Sequence, residues 1–431
     1  MHKRIVLKNG LRVVLVPLAS NQTVTAMVLV EAGSNYETKE NNGISHFLEH
    51  MCFKGTEKRS CADITFELDS VGAESNAFTG NEYTGYYAKA AAKRLPVLLD
   101  VLSDVYINST LPTEEIEKEK GVIIEEINMY EDMPQRKVWE VLESLMYGDT
   151  PAGRTILGPR ENIKNMKRED FLAYRAAHYH PQHTVVVIAG GFEVAEAIKL
   201  VKETFGGMTP GKKKGKEKVR EVQKEVSVRI HEKKSDQTHL VLAFRTVGLA
   251  HEDRRALGGV SSTLGAGMSS RLFKRLRDEM GICYYVRASH DTYTDHGYLA
   301  ISAGVANDRV EEAVTAIVEE VRKLRDGAVE KAEHAKVTSY VTGRMAMGLE
   351  SSDSYADFYG FPEIYGRPLE TLAAKIAKVK KTTPADIQKA AKKYLVPERA
   401  NLALVGPARD ESVLKKIVEG VVAPKKAKAG K

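Results

Sequence analysis

The chain has 431 residues, enough for two or three domains. Charged residues make up 28% and hydrophobic ones 43%, an ordinary soluble composition. The 64 Lys+Arg against 58 Asp+Glu leave a net charge of only +6, and several of the positive charges fall in two short Lys-rich stretches, so a nucleic-acid groove is not indicated; three cysteines exclude a disulfide scaffold and a zinc site built from cysteine alone.

No stretch approaches the ~18 consecutive apolar residues of a membrane span. The N-terminus starts basic, but Lys8 and Asn9 interrupt it before any apolar core develops. It reads as a mature cytoplasmic N-terminus, and the sparse cysteines fit a reducing compartment. Residues 11–16, after the turn dipeptide Asn9-Gly10, and residues 23–30 are rich in β-branched side chains and read as paired strands. A glycine-containing loop (33–43) leads into a helix at 44–53, and a second helix is expected at 61–71. Strand signals return at 73–78 and 85–90. Helical patterns follow at 95–107, with Pro96 tolerated in the first turn, at 113–130 and at 171–177. A strand at 184–189 ends in Gly190-Gly191. Residues 206–216 combine Gly, Pro and a lysine run and read as an exposed, mobile linker. The Lys/Ala/Gly tail, 424–431, is expected to fray.

A repeat spans the linker. Gly85-Tyr86-Tyr87-Ala88 opens a strand, a helix runs through Leu98, Leu99 and Val101, and a break at Leu111-Pro112 precedes an acidic helix beginning at Glu114. Gly297-Tyr298-Leu299-Ala300, a helix through Val310, Ala313, Ile317 and Val321, a break at Asp326-Gly327 and the segment from Val329 to Lys336 repeat that order at similar spacing. The expectation is an α+β protein of two related halves, each a mostly antiparallel sheet packed with helices: 1–210, a basic linker 211–224, and 225–431.

The sharpest chemical signal is His46-Phe47-Leu48-Glu49-His50. On a helix, positions i and i+4 share a face, so His46 and His50 point together and suit one side of a tetrahedral zinc. Glu49 stands where it can reach a zinc-bound water without ligating; this is the inverzincin order. A third ligand is then needed. The helix at 113–130 offers Glu119, Glu125 and Glu126. Glu119 and Glu126 are two turns apart on one face, and Glu126 lies between Ile123 and Ile127, with Val122 also assigned to the apolar side. Glu125 is the rival ligand, and an acidic solvated face is the alternative for all three.

These residues resemble the pitrilysin/insulinase metallopeptidases, in the mitochondrial-processing-peptidase-like branch. The likeness runs from His46-Phe47-Leu48-Glu49-His50-Met51 and Phe53-Lys54-Gly55-Thr56 through Asn76-Ala77-Phe78-Thr79, Tyr86-Tyr87-Ala88 and Leu111-Pro112 to the run Glu119–Ile127. It continues at Ser269-Ser270-Arg271-Leu272-Phe273 and from Leu276 to Tyr284. It implies the LuxS/processing-peptidase-like metallohydrolase fold and one Zn2+ per chain, held by His46, His50 and Glu126. Glu119 would support the site, Glu49 would be the general base, and Arg277 and Tyr284 would contact substrate. It further implies an endopeptidase for unfolded peptides or presequence-like segments, working in a closed chamber. The peptide would add as a strand near Asn76, Ala77 and Phe78. Since this chain carries both the zinc motif and the Arg/Tyr segment, a homodimer suffices, with Arg277 and Tyr284 reaching the partner's site. Nucleic acid and membrane are not expected partners. The alternative is a non-catalytic family member acting as a scaffold or partner subunit; such chains usually have a degraded zinc motif, whereas His46, Glu49, His50 and Glu126 are all present here.

Three other features carry less. His178, His180 and His183 form a metal-like cluster, but the matching family segment is a structural connector. Leu264-Gly265-Ala266-Gly267-Met268 lacks the Lys-Ser/Thr ending of a phosphate loop. Cys52 follows the zinc helix too closely to face the metal and reads as a packing residue.

Overall fold

The computed structural model describes residues 2–212 and 214–420; the 424–431 tail lies outside the described residues, as does Lys213 of the basic linker. Strands β1 (Lys3–Val6), β2 (Arg12–Pro17), β3 (Thr23–Val30), β4 (Glu74–Thr79), β5 (Thr84–Ala91) and β6 (Thr184–Gly190) form a sheet in the order β1-β2-β6-β3-β5-β4. Strands β7 (Ser227–Glu232), β8 (Gln237–Arg245), β9 (Cys283–Thr292), β10 (Gly297–Ala306) and β11 (Ala400–Gly406) form another, in the order β7-β11-β8-β10-β9. The helices are α1 (Ile44–Cys52), α2 (Cys61–Ser70), α3 (Leu95–Asn108), α4 (Thr113–Glu131), α5 (Pro134–Tyr147), α6 (Arg160–Asn165), α7 (Arg168–His178), α8 (Val194–Phe205), α9 (Arg254–Gly265), α10 (Val310–Asp326), α11 (Lys331–Met347), α12 (Ser352–Ile364), α13 (Leu372–Lys381), α14 (Pro384–Tyr394) and α15 (Glu411–Glu419).

The two sheets have one topology. Replacing β2, β6, β3, β5, β4 by β7, β11, β8, β10, β9 maps the first onto the second. The same single pair is parallel in each (β2/β6 and β7/β11), and the rest are antiparallel. The first sheet adds only β1 at its edge. The repeat is therefore real: the fold is α+β, in two sheet-plus-helix halves.

One strand pairing differs from the sequence reading. β2 and β3 are not neighbours, because β6 inserts between them. All of β6 (TVVVIAG) is buried, as an apolar run in a central strand should be. β2 instead turns back on β1 through Asn9-Gly10, where Gly10 takes φ 91.

The chain forms two compact units, each discontinuous in sequence. One comprises residues through 128, 154–217 and 347–370; the other comprises 129–153, 218–346 and 371 onward. A division at 211–224 captures one of these crossings. In the first unit, α12 packs on β6, β3 and β2, and its Ala356, Tyr359 and Ile364 join a core with Val14, Met27, Leu29, Val185 and Val187. α3 packs on β3 and β5, and α1 on β4 and β5. In the second unit, α5 lies on β11 and β8, burying Val138, Val141, Leu142 and Met146 against Val241, Ala243, Ala403 and Val405. α9, α10 and α14 supply the other core, with Leu257, Val260, Ile317, Val321 and Ala391. Each sheet thus has a helix on one face that arrives from the opposite half of the sequence.

Candidate metal centre

Helix α1 is set by its entry. Gly43 takes φ 102, and a Cβ there would fall 2.6 Å from the carbonyl oxygen of Leu157, so only glycine fits. The buried Glu37 carboxylate accepts from the backbone N–H groups of Gly43 and Ser45, each at 2.8 Å, and from the Asn42 amide at 2.7 Å. It places an acceptor on the unpaired donors of the first turn. Phe47, Leu48 and Met51 bury on one side, which fixes the rotation of the helix.

That rotation brings His46 and His50 together, with ring centroids 4.7 Å apart. Helix α4 brings the carboxylate. Oε2 of Glu126 lies 3.5 Å from Nε2 of His46 and 3.8 Å from Nε2 of His50. Ligand atoms around a tetrahedral zinc at ~2.0–2.1 Å stand ~3.4 Å apart. One nitrogen or oxygen from each of His46, His50 and Glu126 falls within 4.8 Å of the others, and among the described residues this is the group able to hold a metal. Two imidazoles and a carboxylate are a zinc donor set, and the residues fit the ion.

The surrounding contacts orient these groups. Glu119, only 5% exposed, meets Nδ1 of His50 at 2.9 Å through Oε1, and Nζ of Lys54 at 2.5 Å through Oε2. Burial pushes the Glu119 carboxyl up, but the hydrogen bonds from Lys54 and His50 outweigh it and hold it below the usual range. An ionised Glu119 only accepts, so Nδ1 of His50 carries the proton and the Nε2 lone pair faces Glu126. His46 is pushed down to about 3 by burial and by His50, which keeps its ring neutral, as a ligand must be. Glu49 is 8% exposed, and its Oε2 accepts from Oγ1 of Thr79 at 2.5 Å. Burial and Glu126 raise the Glu49 carboxyl, while Thr79 and His50 oppose them.

Glu125 is exposed and is not part of the group whose ligand atoms converge. Val122, assigned to the apolar face, is 52% exposed; Ile116, Ile123 and Ile127 form that face, and Glu119 is buried along it. Asn76, Ala77 and Phe78 lie on β4, the edge strand of the first sheet, with Asn76 exposed. Arg277 and Tyr284 belong to the second unit. Nη1 of Arg277 donates to the Tyr284 carbonyl at 2.6 Å, and the guanidinium lies over the Phe273 and Tyr284 rings. The Tyr284 side is open, at 74% exposure. His178 packs against the Tyr36 and Tyr174 rings, and burial pushes it down to about 4. Cys52 is buried, with Sγ 3.5 Å from the Tyr86 hydroxyl. Sequence reasoning gave no role to Lys54 or Thr79, although both stand inside quoted motifs.

Residues 12–160 match the insulinase family (peptidase family M16), and residues 165–339 match the peptidase M16 inactive domain. An uncharacterized zinc protease of Bacillus subtilis (strain 168) is 34% identical over 95% of this chain and 99% of its own length. The chain belongs to the insulinase family, peptidase family M16. It is also similar to the mitochondrial-processing peptidase subunit beta of Homo sapiens, at 33% identity over 95% of this chain and 86% of that one. A protease from Helicobacter pylori shares the fold, with a TM-score of 0.87 at 23% identity, covering 94% of this chain and 99% of that one. Relatives named as zinc proteases support a peptidase function and the use of zinc for this M16 chain. No helix among the described residues is long and apolar enough to cross a membrane.

Proposed function

We propose that this M16 chain is a zinc endopeptidase that cleaves unfolded peptides or presequence-like segments, with one zinc per chain held by His46, His50 and Glu126. The observation that carries the reading is the convergence of both Nε2 atoms on one Glu126 oxygen, with the buried Glu49 on the same helix. When bound, zinc supplies Lewis acidity and brings a water's proton within reach of a base at neutral pH. Glu49 takes that proton and returns it to the leaving amine. Its raised affinity for protons, set by burial, suits both halves of the task. The peptide lies along β4 and pairs its backbone with the strand edge by Asn76, Ala77 and Phe78; main-chain hydrogen bonds give affinity across many sequences. A second copy of the chain contributes Arg277 and Tyr284, whose charge and phenol stabilise the developing oxyanion in the chamber the two copies enclose. The three cysteines are free, which suits a reducing compartment such as the cytoplasm.

The test is Glu49→Gln. Peptide cleavage should vanish while metal analysis still finds one zinc per chain. Cleavage at the wild-type rate refutes the base assignment. Much less than one zinc per chain after metal-replete purification would instead favour a scaffold or partner subunit. Mixing Glu49→Gln with Arg277→Ala protein should restore part of the activity through mixed dimers; no recovery despite verified subunit exchange refutes the shared site.

A further inference from the structure

We propose that Thr79 is a positioning residue for Glu49, tying the base to the edge strand on which substrate is laid. The inference rests on the assignment of Glu49 as the base. Alternation along β4 sets the geometry. Phe78 packs against Phe361 of α12, with centroids 6.2 Å apart, so Thr79, one residue on, faces the opposite side of the sheet. That is the side on which α1 packs against β4 and β5. There the Thr79 hydroxyl donates to Oε2 of Glu49 at 2.5 Å.

Two features separate this contact from ordinary satisfaction of a strand-end hydroxyl. First, Glu49 is buried at mid-helix, where a carboxylate without a donor is costly, so its rotamer is set by what it can bond. Thr79 fixes one oxygen, and a β-branched threonine has few χ1 choices of its own. Second, Thr79 is the last residue of β4 and pairs with Thr84 of β5, so its backbone is held by the sheet. A rigid strand that carries both the peptide-binding edge and the anchor of the base keeps scissile bond and base in register without any further residue. Proximity effects of this kind are lost by displacements of ~1 Å.

The experiment compares Thr79→Val, Thr79→Ser and Glu49→Gln proteins on an unstructured peptide, with zinc content and KM measured beside kcat. Valine keeps the branched shape and removes the donor; serine keeps the donor. Thr79→Val should lose at least about tenfold in kcat, with zinc content unchanged and KM within about twofold, and Thr79→Ser should recover most of it. Wild-type kcat in Thr79→Val, a serine variant as impaired as the valine one, or a loss confined to KM or to zinc content overturns the proposal. If Glu49→Gln itself cleaves normally, the base assignment has failed, whatever the threonine variants do.

Discussion

Glu119→Gln is the sharpest probe of how His50, a proposed zinc ligand, is held. The side chain keeps its shape and loses its charge. In the native protein one carboxylate serves two donors, Nδ1 of His50 at 2.9 Å and Nζ of Lys54 at 2.5 Å. A glutamine has one accepting oxygen. If that oxygen faces His50, the amide nitrogen confronts the Lys54 ammonium, donor against donor. If it faces Lys54, the amide N–H points at Nδ1 of His50 and favours the tautomer with its proton on Nε2, where the metal needs a lone pair. Either arrangement loses one charge-assisted hydrogen bond, worth ~1.5–3 kcal/mol. At ~1.4 kcal/mol per tenfold, zinc affinity should fall on the order of 10–100-fold. Chelator competition at neutral pH reads this directly, with thermal unfolding of the metal-free protein as a check on folding. Lys54→Met removes the donor conflict, so the Lys54→Met/Glu119→Gln double variant should bind zinc better than the two single losses sum to. Wild-type zinc affinity in Glu119→Gln, or strict additivity in the double variant, refutes the reasoning.

Two pH effects should be separable by denaturant titration of the metal-free protein. Burial pushes Glu143 up to about 7, while Tyr298 hydrogen-bonds it at 3.3 Å; a folded pKa above the unfolded value of 4.5 means stability is lost as pH rises from 4.5 through about 7. Glu143→Gln should therefore stabilise the protein above that range by up to about 3 kcal/mol and have little effect at its lower end; a pH-independent difference refutes this. His178, pushed down to about 4 by burial, has the opposite sign: the unfolded chain takes up a proton below 6.5 that the folded one refuses, so stability falls with falling pH by up to ~1.4 kcal/mol per unit. His178→Gln should flatten that slope, and an unchanged slope refutes it.

The local parts of this molecule were legible because they depend on short periodicities. His46 and His50 sit one turn apart, and helical geometry alone makes them neighbours. The identity of the nearby carboxylate was also written in α4: Glu119, Ile123, Glu126 and Ile127 follow i, i+4, i+7, i+8, a single face, while Glu125 falls outside it. Val122, at i+3, fits the same spacing and yet is 52% exposed, so periodicity alone could not have excluded it from that face. Thr79 could have been found by alternation from Phe78, given only the knowledge that Phe78 faces a core. Lys54 could not, because its partner Glu119 lies 65 positions away and no local pattern pairs them. The insertion of β6 between β2 and β3 was invisible for the same reason. Strand order is decided by pairings across more than 150 residues, to which a window of local sequence is blind.

The exchanged helices show why a linker rich in Gly and Lys is a poor guide to where a folding unit ends. A sheet buried on both faces needs two covers. β3 and β6 are apolar on both sides, yet the first half supplies helices for only one of them; the other is closed by α12, which follows α11 in the second half. The second sheet is completed by α5, which follows α4 in the first. In each repeat, then, the helix after α4 or α11 is given away and its counterpart received. A fragment ending at residue 210 would keep α5 without the sheet it covers and would expose Val14, Met27, Leu29, Val185 and Val187 without α12. A patch of that kind drives aggregation rather than an independent fold. The His46, His50 and Glu126 cluster lies wholly within the first half of the sequence, but the unit that holds it in shape does not.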